Sequence, residues 1–272
     1  MYIPIMQVRN SEVIVYEHWT GPRKLHKQEN PFSGSSTYSG RMTNGSVKRL
    51  QKAVTLLVQK SPRVSIYNPV AKCHHPFRLS FVTLTIADQG KDNAKDVYRK
   101  VMAKWLRWGR RAGMTDYIWK AELQQRRTLH YHIATNKFLH WRDIRDTWNT
   151  YQKKAGYLQQ FAAKYGHFKP NSTDVHSIRK VRNIERYLTK YMMKGVGNSQ
   201  IVGKTWDCSK NLKDASYFST EMTPRNLHLI RSIAKKEIRT DHCTIFRIPQ
   251  DAERAVLDGI QRQEFNIHLK SI

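Results

Sequence analysis

The eleven residues 126–136, RRTLHYHIATN, set two histidines either side of a tyrosine, His130-Tyr131-His132. Residues two apart on an extended strand share a face, so both imidazoles project to one side and Tyr131 to the other. The preceding stretch DYIWKAELQQ alternates as well, with Lys120, Glu122 and Gln124 on one face and Trp119, Ala121 and Leu123 on the other. A three-residue loop Gln125-Arg126-Arg127 between the strands sets Glu122 opposite His130. A two-residue loop sets Glu122 beside Tyr131 and dissolves the grouping. In the first register Glu122, His130 and His132 converge as two imidazoles and a carboxylate. That is a half-open donor set for a divalent metal, with positions left for water or phosphate. Gln124 is an alternative oxygen ligand. The competing reading is a polar strand face whose histidines meet only solvent, and a short H-x-H match does not decide between the two.

A second group lies in ERYLTKYMMKG, where Tyr187, Lys190, Tyr191 and Lys194 recur at i, i+3, i+4 and i+7. Those offsets place all four on one helical stripe. Tyrosines four apart often anchor a core, but lysines seldom share a buried face. Near a metal, the stripe has a chemical use. A phenol with an ordinary pKa near 10 attacks only when an electrophile is polarised or a cation lies close, and the ammoniums supply charge beside a scissile phosphate.

The elements that must hold these groups are legible from periodicity. FRLSFVTLTIAD alternates and is rich in β-branched residues, as a strand is. A helix is expected over about 92–111, with Val97, Val101, Trp105 and Trp108 among its apolar positions. Two strands, DYIWKAELQQ and TLHYHIATN, follow, then helical HWRDIRDTWNTYQKKAGYLQQFAAKYG, a short strand STDVHSI and the helix KVRNIERYLTKYMMK. The order β-α-β-β-α-β-α implies an α+β fold, a central antiparallel sheet flanked by helices. Before it, SVKRLQKAVTLLVQKS has helical spacing. After 195 the chain reads as loop-rich, with a short helix near RNLHLIRSIAKKEI and a strand-like CTIFRI. Three parts are expected: an extension over 1–60 with a Gly/Ser/Pro-rich linker at 31–46, a catalytic domain over 61–215, and a second extension over 216–272.

Charge narrows the class of partner. The chain carries 48 Lys and Arg against 21 Asp and Glu, a formal net charge of +27. That excess points to a polyanion, and nucleic acid fits better than a membrane surface, since no long basic amphipathic helix has a strong apolar face. Trp105 and Trp108 in RKVMAKWLRWGRRAG either stack exposed bases or pack the helix on the sheet. No apolar run of membrane-spanning length and no secretory h-region is present, and three cysteines, Cys73, Cys208 and Cys243, form no disulfide framework. A cytoplasmic, non-secreted protein is expected. GVGNSQIVGKT fails the spacing of a phosphate-binding loop, so no ATPase is expected, and unwinding of duplex falls to a partner.

Taken together, FVTLTI (81–86), ELQQRRTLHYHI (122–133) and YLTKYMMK (187–194) resemble, in order, the three motifs of the HUH endonucleases that initiate rolling-circle replication. The form is the two-tyrosine one of phage gene A proteins and plasmid initiators. GKTWDCSKNL (203–212) is similar to a segment that follows the tyrosine helix in related initiators. The resemblance implies that Glu122, His130 and His132 hold Mg²⁺ or Mn²⁺ at the scissile phosphate of single-stranded DNA. Tyr187 or Tyr191 then attacks to give a 5′-phosphotyrosine link and a free 3′-OH, and Lys190 and Lys194 flank the reaction. It further implies the origin of a circular replicon as substrate, and a host helicase and polymerase as partners. A relaxase or transposase of the same superfamily shares these groups. A basic DNA-binding protein without catalysis accounts for the charge alone.

Overall fold

The computed structural model describes residues 1–9, 11–22, 42–68, 71–88, 92–123, 128–178, 184–193, 201, 203–249 and 252–260. In chain order it begins β1 (Tyr2–Arg9), β2 (Glu12–Trp19), α1 (Asn44–Lys60), β3 (Val64–Asn68), β4 (Cys73–Phe77) and β5 (Ser80–Thr85). Next come α2 (Ala94–Val97), a π-helical turn (Tyr98–Met102), α3 (Ala103–Arg111), β6 (Tyr117–Leu123), β7 (Leu129–Thr135), α4 (Trp141–Ala155) and α5 (Gln159–Tyr165). The remainder is β8 (Thr173–Ser177), α6 (Ile184–Met193), β9 (Trp206–Cys208), α7 (Lys210–Lys213), β10 (Phe218–Glu221), α8 (Pro224–Ile233), β11 (Lys236–Arg239) and β12 (Cys243–Arg247). A last helical stretch covers 252–260.

The chain divides into two units, Ser36–Asp214 and a second made of Met1–Ser35 with Ala215–Ile272. The expected bound at 60 does not fall on this division. Helix α1 belongs with the central unit, and the two chain ends share one sheet. Most of the expected linker at 31–46 lies outside the described residues.

In the central unit five strands form an antiparallel sheet in the order β8-β5-β7-β6-β9, so the fold class is α+β as its sequence pattern implies. The histidine strand β7 is the middle one, with β5 beside it. Alternation separates the two faces. Val82, Leu84, Trp119, Ala121, Tyr131 and Ile133 point to one side and are buried against Val101, Trp105 and Leu106 of the helix after β5, and Ile144 and Trp148 of α4. Trp105 is fully buried and Trp108 packs against the same cluster, so these indoles belong to the core and do not form a base-stacking surface. The Trp148 indole N–H donates to the Thr85 carbonyl at 2.9 Å, which ties α4 to β5. Gly156 ends α4 at φ 83°, a left-handed turn that suits glycine. Helix α1 is capped by the Thr43 hydroxyl, which accepts from the Ser46 amide, and it packs against α6 and β6.

The other unit is a sheet of order β10-β1-β2-β12-β11 whose inner residues Met6, Val8, Val13 and Phe246 pack with Ile230 of α8 and Val256 and Ile260 of the last helix. The helix expected near RNLHLIRSIAKKEI stops at Ile233, and Lys236–Arg239 instead pairs with β12. Among the described residues no helix is long and apolar enough to cross a membrane.

The two faces of β5 predict contrasting sensitivities. Leu84→Ala, at a fully buried position, is expected to cost about 2–5 kcal/mol. Thr83→Val on the opposite face is expected to cost about 1.5 kcal/mol at most. Urea unfolding followed by tryptophan fluorescence checks this, because six of the seven tryptophans lie in the central unit. Equal losses at the two positions would contradict the assignment of the core face.

Candidate nucleic-acid interface

On the face of the sheet away from that core, the register brings polar side chains into rows. Thr85, His130 and Glu122 form one row, since Thr85 pairs with His130 and His130 with Glu122. Asp174, Thr83, His132, Lys120 and Trp206 form the next, running through every strand of the sheet. Phe81 pairs with His176 and Ala134 in the third. The arrangement with Glu122 opposite His130 is therefore the one the chain adopts. Residues 124–127, including the alternative ligand Gln124, lie outside the described residues.

Each histidine is anchored through its Nδ1. The Thr83 hydroxyl lies 3.1 Å from His132 Nδ1 and the Thr85 hydroxyl 3.2 Å from His130 Nδ1. That orientation turns both Nε2 atoms away from β5. His132 Nε2 meets Glu122 Oε2 at 2.8 Å, with both side chains largely but not fully buried. Burial, followed by the neighbouring His132, lowers the His130 pKa below the ordinary imidazole value, and Glu122 offsets part of the shift. His130 is thus biased to the neutral form that ligates metals. Two anchored imidazoles and a carboxylate suit a divalent ion in donor type. In spacing, the carboxylate is paired with His132, and among the described residues no three His, Cys, Asp or Glu side chains already stand as a metal-holding group.

The tyrosine helix lies over the same face. Phe81 is the hub: its ring stacks on His132 at 5.7 Å and 17°, lies 5.3 Å from His176, and meets Tyr187 and Tyr191 at 6.5 and 5.6 Å. Tyr187 and Tyr191 contact each other at 4.7 Å, as residues four apart on a helix should. The adjoining stripe of α6, Ile184, Leu188 and Met192, is buried, and the phenols beside it meet Phe81 of the sheet. Burial pushes the Tyr187 hydroxyl above its usual pKa, and the hydrogen bond with Tyr191 and the nearby Asp174 charge push the same way. The Tyr187 hydroxyl sits 3.5 Å from His176 Nε2, the outer edge of hydrogen-bond distance, and His176 Nδ1 is 3.7 Å from Asp174 Oδ2. Lys190 is exposed on this helix, and Lys194 lies outside the described residues.

The histidine pair, Glu122, Tyr187 and Tyr191 are thus brought to one sheet face. Sequence reasoning gave no site role to Phe81, Thr83, Thr85, Asp174, His176 or the buried Lys120, although it set Lys120 on the face of Glu122. The available signal was alternation: Phe81, Thr83 and Thr85 are every second residue of FVTLT, and Asp174 and His176 every second residue of TDVHS. The strand order was needed to place them beside His132.

Comparison with known proteins falls on this same region. Residues 79–196 match the family model of replication-associated proteins of the ORF2 and gene 2 protein type. No curated protein matches the chain. Among solved structures, the hypothetical protein ORF119 from Sulfolobus islandicus rod-shaped virus 1 is similar at 15% identity and a TM-score of 0.32. That likeness covers 56% of this chain and 97% of that one. The segment that is similar to these replication-associated proteins contains Glu122, His130, His132, Tyr187 and Tyr191.

Proposed function

We propose that the chain is a replication initiator that nicks and rejoins single-stranded DNA by tyrosine attack. The observation that carries this is the clustering of His132, His176, Tyr187 and Tyr191 about Phe81, with Glu122 and His130 in the adjoining row. Glu122, His130 and His132 would hold Mg²⁺ or Mn²⁺, which when bound polarises the scissile phosphate.

The chain's own residues supply the rest. Tyr187 is the first nucleophile because its hydroxyl lies 3.5 Å from an imidazole nitrogen, His176 Nε2. Its phenol is neutral at rest, so the proton must leave as the bond forms, and His176 Nε2 is placed to accept it. The Tyr187 oxygen bonds to phosphorus as the bond from phosphorus to the upstream 3′-oxygen breaks, and that oxygen takes up a proton from water. The products are a 5′-phosphotyrosine link and a free 3′-OH. Tyr191, 4.7 Å away ring to ring, is positioned for a second transfer that rejoins strands. Lys190, and Lys194 beyond the described helix, add positive charge on the same segment.

Changing Tyr187 and Tyr191 together to Phe is expected to abolish the covalent adduct with labelled circular single-stranded DNA while changing affinity less than about threefold, since each loses only a hydroxyl. Adducts are read on denaturing gels with Mn²⁺, with EDTA as the control, and mapped by mass spectrometry. Binding lost in parallel with the adduct would count against the phenols as nucleophiles.

In metal-free protein, NMR titration of the imidazoles should find His130 protonating below the ordinary value of about 6.5, and lower still in Glu122→Gln, which removes the charge that partly offsets the shift. The unfolded chain takes up this proton more readily than the folded one. The residue's stabilising contribution is therefore complete above the ordinary pKa and is lost as pH falls through it toward the folded value. A His130 that titrates at or above the ordinary value refutes the buried, neutral ligand.

A further inference from the structure

The segment Gly203–Leu212 has no part in the chemistry above, yet it builds one wall of a cavity of about 460 Å³ whose other wall is α1. Its lining includes Ser46, Arg49, Lys52, Lys204, Trp206 and Lys213, so it holds four cations against one carboxylate, Asp207. Asp207 is the organiser of the wall. Its two oxygens meet Lys204 at 2.6 Å and Lys213 at 2.7 Å. Burial works to raise its pKa, but hydrogen bonds from both lysines and from the Cys208 amide hold it below the usual range. It stays ionised and fixes two ammoniums in place, while the lining as a whole remains strongly positive. The Trp206 indole N–H donates to the Ser46 hydroxyl at 2.8 Å, which joins the two walls and holds the indole still.

The place of this cavity in the sheet is defined. Trp206 pairs with Lys120, and Lys120 with His132, so Trp206 stands two strands from His132 in the same row and on the same face. Two strand spacings are on the order of 10 Å. Lys120, which separates them, is itself buried. A fixed aromatic beside an array of cations is the combination that tracks the backbone of a single strand and stacks a base. The volume lies within the range of sites that enclose a small ligand, which a flat membrane-facing patch does not.

We propose that this cavity binds a phosphodiester and adjoining nucleotide of single-stranded DNA next to the scissile position. The inference rests on the nicking reading for the identity of its neighbour, while its own content is binding. Arg49 and Lys204 face the phosphate, and Lys213 stays with Asp207.

The test is fluorescence anisotropy of the full chain with a labelled single-stranded oligonucleotide in EDTA, over a series of salt concentrations. Arg49→Gln/Lys204→Gln is compared with Lys104→Gln/Arg107→Gln. The second pair removes the same charge from exposed positions on α3, whose buried side packs on the opposite face of the sheet. The cavity pair is expected to weaken binding about tenfold near physiological salt. It should lower the log–log salt slope by about 0.7, the value for one phosphate of a single strand. The α3 pair should move affinity less than about threefold. The charge-preserving Arg49→Lys/Lys204→Arg should retain most of the affinity, and Lys204→Gln alone gives a second reading if the double variant folds poorly.

Equal losses from the two neutralised pairs would overturn the proposal, as would a salt slope unchanged in the cavity pair. A DNA adduct formed by a cavity variant with undiminished binding removes this inference and leaves the nuclease standing. Cavity-dependent binding without any adduct does the reverse.

Discussion

The site depends on one constraint, the antiparallel register of β5, β7 and β6. Because side chains alternate strictly, the same pairing that sends Val82, Leu84, Tyr131, Ile133 and Trp119 into the core sends Thr83, Thr85, His130, His132 and Glu122 to the other face. A slip of one residue in β7 would expose two large aromatic or aliphatic side chains and bury two imidazoles. Each fully exposed side chain of that size forfeits roughly 1.5–3 kcal/mol, so the core enforces the polar face. Chemistry and folding here are two readings of a single pairing, and the helices of the core side act on the site without touching it.

The choice of threonine as the anchor for both histidines has a chemical consequence. With Glu122 ionised, His132 Nε2 donates to it, and in a neutral ring Nδ1 then accepts from Thr83. An imidazole that ligates through Nε2 must carry its proton on Nδ1 instead. A hydroxyl both donates and accepts, so Thr83 and Thr85 can hold the ring in either tautomer, whereas a backbone carbonyl could hold only one. The rings can thus change role without losing their orientation. Phe81 adds a second restraint on His132 by stacking, and the same ring supports both phenols, so one aromatic side chain sets the spacing between the histidine strand and the tyrosine helix.

Local pattern made some of this readable and left the rest unreadable for identifiable reasons. The alternation of DYIWKAEL and TLHYHIAT makes both strands readable, though not whether Glu122 meets His130 or Tyr131, and the buried stripe Ile184, Leu188, Met192 is visible at helical spacing. His176 and Phe81 are different, because their proximity to His132 follows from β5 lying between β8 and β7, an order that spans about a hundred residues of chain. The terminal sheet is harder still. β1 and β2 pair with β10 and β12, more than two hundred residues away, and nothing local in YIPIMQVR announces such partners. Lys236–Arg239 shows tertiary pairing overriding local preference, since Lys and Glu favour helix yet β12 offers a complete ladder.

The resting electrostatics of the site argue that its reactivity is conditional. Asp174 and Glu122 place carboxylates on the working face, and a phosphodiester approaching them meets repulsion. Tyr187 shares that environment, and burial, Tyr191 and Asp174 all disfavour its phenolate. A tyrosine so placed is a poor nucleophile until positive charge arrives, whether from a cation among Glu122, His130 and His132 or from a strand held by basic side chains at the edge of the sheet. Lys120 is buried in the row between His132 and Trp206, so that row joins the basic edge of the sheet to its centre. In the proposed reaction the substrate and its counter-charge therefore complete the site together. On that proposal a phenol kept protonated beside His176 loses its proton only when a phosphate is there to receive the oxygen, which would confine covalent attachment to strands that occupy the whole face.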